Sequence, residues 1–150
     1  MENQNIAVKE DTIKRFFDAC RKAKRIADNM PKLPEGLTTM SMHVVDAIDI
    51  LSKKGPVKIS DLSTYLGVSR PAMTKIVNHL HERGILTKTN GQIDKRTVHV
   101  ELTDLGKEYL DIYVRDYVRS MSKSLESIDE ADFMATIDTV DRTYDIIFDR

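Results

Sequence analysis

The sequence predicts a mainly α-helical chain with one small antiparallel β-hairpin, and three observations carry that prediction. Apolar residues recur at spacings of three and four along most of the 150 residues. One stretch, Val98-His99-Val100-Glu101-Leu102, alternates apolar and polar, as a strand with one buried face does. Just before it, two short helical patterns are separated only by a glycine-led turn, Gly67-Val68-Ser69.

Each element has a local cause. Over residues 9–30 a stripe of Ile13, Phe16, Phe17, Cys20, Ala23, Ala27 and Met30 predicts a helix, broken by Pro31, Pro34 and Gly36. Thr38 or Thr39 can cap a second helix, which buries Val44, Val45, Ile48 and Leu51 and ends at Gly55-Pro56. Ser60-Asp61 starts a short helix with Leu62, Tyr65 and Leu66 as its apolar residues. Gly67 stops it. Ser69 caps the next helix, Pro71 sits in its first turn, and Ala72, Met73, Ile76, Val77 and Leu80 form its inner face until Gly84. Residues 85–89 and 97–102 read as strands rich in β-branched residues. Asn90-Gly91 is a tight-turn signal, and the longer excursion predicts that part of 90–96 protrudes. Thr103 caps a long helix to about residue 126, faced by Leu105, Tyr109, Ile112, Tyr113, Tyr117, Met121 and Leu125. A last helix opens at Ile128-Asp129-Glu130, with Phe133, Ile137, Val140, Tyr144 and Ile147 along one side.

Composition narrows the function. The single cysteine excludes an internal disulfide, and no apolar run is long enough to span a membrane. No basic-then-apolar leader opens the chain, so the cytoplasm is the expected compartment. The net charge of −1 hides an uneven distribution. Residues 53–100 carry 9 basic and 3 acidic side chains, whereas 101–150 carry 6 and 13. Local charge governs attraction to phosphate, so the middle third is a candidate nucleic-acid module. Neither a nucleophile triad, a glycine-rich phosphate loop nor a metal-binding His-Glu spacing appears, so neither catalysis nor a cofactor is expected. His79 and His81 are two apart on a helix and face apart, and no metal site is expected.

Two short helices followed by a hairpin make the winged helix-turn-helix plan. A steep turn lets the second helix stand out, and a major groove about 12 Å wide admits it. Ser69, Arg70 and Pro71 lie at its start, where free N–H groups favour phosphate. Thr74, Lys75 and Asn78 share its outer side, and Lys can donate to guanine while Asn can pair with adenine. Met73 could meet a thymine methyl but belongs better in the core. Lys88, Asp94, Lys95 and Arg96 lie in the hairpin wing, residues 88–97.

These residues resemble a known family. The run Ile59-Ser60-Asp61-Leu62 through Gly67-Val68-Ser69-Arg70-Pro71-Ala72-Met73-Thr74, with Asp94-Lys95-Arg96-Thr97-Val98-His99-Val100-Glu101-Leu102-Thr103-Asp104-Leu105-Gly106, is similar to the winged-helix core of the MarR (multiple antibiotic resistance regulator) family. The wing part, with Asp, Arg, Val, Leu-Thr and Gly at set offsets, is the more specific. The resemblance implies a repressor-like homodimer on a near-palindromic duplex operator, read by recognition helix 69–83 and the wing. It implies that Arg96 enters the minor groove with Asp94 orienting it. It implies long N- and C-terminal dimerisation helices, which divides the chain into 1–36, 37–102 and 103–150. It also implies release by a small aromatic or amphipathic effector. Phe16, Phe17, Met40, Met42, Tyr109 and Tyr113 could line such a pocket, although the same spacing serves a core. Two other readings stand beside this one. Cys20, near Arg21 and Lys24, could sense oxidants, or the winged helix could bind protein rather than DNA.

Overall fold

A computed structural model describes residues 7–91 and 97–148. The elements run α1 (Glu10–Ala27), α2 (Thr39–Ser52), β1 (Val57–Lys58), α3 (Ile59–Leu66), α4 (Arg70–Glu82), β2 (Leu86–Asn90), β3 (Val98–Leu102), α5 (Asp104–Leu110), a π-helical turn Asp111–Arg115, α6 (Asp116–Ser124) and α7 (Glu130–Phe148). The chain forms two compact units, Met1–Val114 and Arg115–Arg150.

In the first unit the core is built where α2, α3, α4, α5 and the sheet meet. Met42, Val44, Val45, Ile48, Leu62, Met73, Val77, Leu80, Ile85, Leu86, Val100 and Leu110 are fully buried. Each removes an apolar side chain from water, worth roughly 1.5–3 kcal/mol apiece before entropy is counted. Thr38 caps α2 as expected: its hydroxyl accepts from Ser41 N–H at 3.2 Å, and Ser41 Oγ accepts from Thr38 N–H at 3.2 Å. That reciprocal pair satisfies two N–H groups at the helix start.

The sheet has one strand more than the hairpin expected from the sequence. Its order is β1-β3-β2, with Val57 opposite Val100 and Leu86 opposite Leu102, all antiparallel. A two-residue strand is too short to show alternation, so β1 left no periodic signal. Asn90-Gly91 does not turn the chain. Asn90 pairs with Val98, and Gly91 N–H donates to the Thr97 carbonyl at 2.8 Å, so the ladder continues past the turn signal.

Two further expectations are corrected, the burial of Tyr65 and the inward face of the helix after Thr103. Tyr65, assigned to an apolar face, is 52% exposed. The helix after Thr103 runs to Ser124, close to its expected end, and carries a π-helical turn at Asp111–Arg115. Such single turns insert one extra residue and rotate the face that follows. Its buried face carries Gly106 and Leu110, while Leu105 and Ile112 are exposed. On α1 no residue of the predicted stripe is buried. In the second unit α7 likewise buries none, and Phe133, Ile137, Val140, Tyr144 and Ile147 are 40–55% exposed.

Candidate nucleic-acid interface

The turn between α3 and α4 sets the angle of the second helix. Gly67 sits at φ +63°, a left-handed conformation that glycine adopts without a Cβ clash. Val68 N–H then reaches back to the Ser63 carbonyl at 3.1 Å, which closes the end of α3 and redirects the chain. Met73, Val77 and Leu80 anchor one side of α4 in the core, so Met73 is not available to a base. Ser69, Arg70, Pro71, Thr74 and Lys75 are all exposed on the other side.

The start of α4 is open. Ser69 stands at the N-cap with extended backbone, yet its side chain makes no capping bond, contrary to expectation. Pro71 has no N–H to satisfy, and Met73 N–H donates to the Ser69 carbonyl at 2.9 Å. Thr74 Oγ1 donates to the Arg70 carbonyl at 2.9 Å, which holds the hydroxyl against the helix. No acidic residue lies between Asp61 and Glu82, so nothing along α4 repels phosphate before its last turn.

Two predicted residues meet each other. Asn78 and Lys88 are half-buried, and Lys88 Nζ donates to Asn78 Oδ1 at 2.8 Å. Lys88 follows Leu86 by two on β2 and so shares its inward face, which brings its ammonium to α4. Asp94, Lys95 and Arg96 lie outside the described residues.

A cleft of about 390 Å³ runs between the start of α3, α4 and the base of the wing, lined by Lys58, Ser60, Arg70, Thr74, Thr97 and Val98. Lys58, Ser60 and Thr97 were not singled out from the sequence as interface residues. Their signal was weak: a lysine and a serine at a helix start are common. Lys58 N–H is held by Asp61 Oδ2 at 2.9 Å, which fixes the first turn of α3.

The wing's far end is tied to α4 by Thr103. Its hydroxyl donates to Gly84 and Ile85 carbonyls at 2.6 and 3.0 Å, and accepts from Gly106 N–H at 3.1 Å. His79 Nε2 lies 2.8 Å from the Gly36 carbonyl and ties α4 to the segment before α2.

The candidate effector and redox residues fare differently. Met42 is fully buried in the core. Met40 is half-buried on α2. Tyr109 and Tyr113 pack edge-to-face at 5.5 Å and lean on the core, and Phe16 and Phe17 are neighbours on α1 at 6.3 Å. Cys20 is a half-buried free thiol. The cations expected to favour its thiolate are engaged by carboxylates: Arg21 bonds Asp18 at 3.2 Å and Lys24 pairs with Asp28. Asp28 also meets His43 Nε2 at 3.2 Å, and its carboxyl is held below the ordinary value, first by Lys24 and then by His43. Among the described residues no cluster of His, Cys, Asp or Glu could hold a metal ion, and no helix is long and apolar enough to cross a membrane.

Residues 40–98 match the model of the MarR family. The chain is 27% identical over 88 residues to the uncharacterized HTH-type transcriptional regulator YfiV of Bacillus subtilis, covering 58% of this chain and 54% of that protein. It is 39% identical over 51 residues to the transcriptional repressor MprA of Escherichia coli, covering 34% of this chain and 29% of the repressor. The chain thus spans about half the length of the first relative and under a third of the second. Among solved structures it is similar to Streptococcus pneumoniae FabT in complex with DNA, with TM-score 0.67, 18% identity, and 94% and 99% of the two chains covered. It is also similar to Bordetella bronchiseptica BpsR, whose DNA binding is regulated by 6-hydroxynicotinic acid, with TM-score 0.69, 18% identity, and 87% and 99% covered. At these identities the two structures show a shared fold.

Proposed function

The chain belongs to the MarR family of winged-helix regulators, and from that premise we propose that it is a homodimeric DNA-binding repressor released by a small effector. The observation that carries this reading is the exposed edge of α4, where Ser69, Arg70, Thr74 and Lys75 stand clear of the core in a stretch with no acidic residue between Asp61 and Glu82. A major groove accepts a helix presented in this way, and cationic side chains there neutralise phosphates and release counterions.

Recognition helix 69–83 reads base edges, and wing 88–97 flanks it with Asp94, Lys95 and Arg96. Arg96 enters the minor groove, where concentrated negative potential holds it. The apolar side of α7 is covered by a second copy, because five large apolar residues in register seek a partner. Two-fold symmetry makes the operator near-palindromic, with half-sites about one turn apart. Repression is supported by the likeness to MprA, a transcriptional repressor. Effector release is supported by the likeness to BpsR, whose DNA binding responds to a small aromatic acid. An effector lowers affinity only by binding better to a dimer whose recognition helices are wrongly spaced. Such a protein works in the cytoplasm.

The test is selection from randomised duplexes with the purified chain, followed by titration against salt. Enrichment of an inverted repeat and an affinity falling steeply with salt is the expected result. Absence of any enriched duplex would overturn the proposal.

A further inference from the structure

We propose that Asn78 and Lys88 act as one donor-only reading head that selects guanine rather than adenine. The inference rests on the reading of α4 as the recognition helix and specifies what that helix reads.

An ammonium has three donors and no acceptor. Its contact at 2.8 Å therefore orients the Asn78 amide unambiguously, with Oδ1 turned to Lys88 and the NH2 end turned away. A free asparagine reads adenine by donating to N7 and accepting from the N6 amino group. Here the amide oxygen is already shared with a cation. An N6 donor approaching that oxygen meets positive charge beside it, which opposes the contact. Guanine instead presents two acceptors, N7 and O6, and no donor on that edge. The amide N–H of Asn78 and a remaining N–H of Lys88 match that pair.

The position suits the task. Asn78 follows Arg70 and Thr74 at intervals of four, so it lies in the same row along α4 as those exposed residues. Lys88 reaches it from β2, from the inward face that also carries buried Leu86. Partial burial of both side chains limits their freedom and screens the contact less than at an open surface. The helix and the wing strand thereby contribute to one contact.

The test uses the full chain, selection from randomised duplexes, and anisotropy titrations at fixed salt. The wild-type chain is expected to enrich guanine at one position of each half-site, with a preference over adenine of about tenfold or more. Asn78→Ala should flatten preference at that position and no other. Lys88→Met, which keeps the stem and removes the charge, should shift the same position toward adenine. The double variant should behave as Asn78→Ala alone, since both act through one contact. Asn78→Asp retains the bond to Lys88 but lacks the amide donor, and it should lose the guanine preference while melting normally. The proposal is overturned if adenine is enriched at the position that Asn78→Ala flattens. It is overturned equally if Lys88→Met weakens binding to all duplexes alike, the mark of a phosphate contact, or if Asn78→Asp keeps the preference. These results leave the regulator reading intact, whereas a wild-type chain that binds no duplex would overturn both.

Discussion

Gly106 has no room for a side chain, because a Cβ there would stand 2.1 Å from the Ile85 carbonyl oxygen. That carbonyl already accepts from Thr103 N–H at 3.1 Å and from the Thr103 hydroxyl at 3.0 Å, so it cannot retreat without losing both bonds. Gly106→Ala is therefore expected to destabilise the fold by at least about 2 kcal/mol, seen as a lower urea midpoint at unchanged m-value. A midpoint equal to wild type would show that the backbone relaxes freely. Lys75 carries no such packing duty. Lys75→Ala should leave stability within about 0.5 kcal/mol and reduce duplex affinity. A smaller salt slope, by about one, would mark a phosphate contact, and altered base preference a base contact. Asp28 supplies a pH dependence. Its carboxyl is held below its ordinary value of 3.8, first by Lys24 and then by His43, so folding favours the ionised form. That contribution is present above the ordinary value and is lost as pH falls through the lowered one. Asp28→Asn should be slightly less stable than wild type at neutral pH, and the gap should close as pH falls from the ordinary carboxylate value through the lowered one. A gap that persisted in acid would contradict this account.

At the level of elements, α4 and the wing are held as one body by contacts at both ends. Thr103 ties the end of β3 to Gly84 and Ile85, and Lys88 ties β2 to Asn78. The wing signature thus contains two kinds of residue. Thr103 and Gly106 make the joint, while the proposed function gives Arg96 and Asp94 to DNA. Arg96→Ala is expected to lower operator affinity by about tenfold to a hundredfold, the scale of a lost charge-assisted contact, with an unchanged melting curve. Equal affinity would remove Arg96 from the interface.

For the whole molecule the proposal turns on apolar faces that the chain leaves open. Phe133, Ile137, Val140, Tyr144 and Ile147 line α7 in register, and none is buried. Placing a charge in the middle of such a face penalises any partner that must bury it. Ile137→Asp should convert a dimer to a monomer in sedimentation and reduce operator affinity, while the winged-helix unit keeps its helical signal. A monomeric wild-type chain, or a variant that dimerises as before, would contradict the assigned face.

The sequence by itself determined the helices, the Thr38 and Thr103 caps and the turn before α4. These rest on neighbours within four residues: Thr38 with Ser41, Gly67 at a left-handed position, and Val77 and Leu80 on one stripe. It also pointed to the exposed row from Ser69 to Lys75, because outward positions follow once the inward ones are known. Only the tertiary structure decided that Val57 pairs with Val100, that Leu110 rather than Leu105 is buried, and that Lys88 meets Asn78. Each of those depends on chain-distant surfaces brought together by packing, as where α5 lies against α2 and β3. A local periodicity carries no record of such contacts.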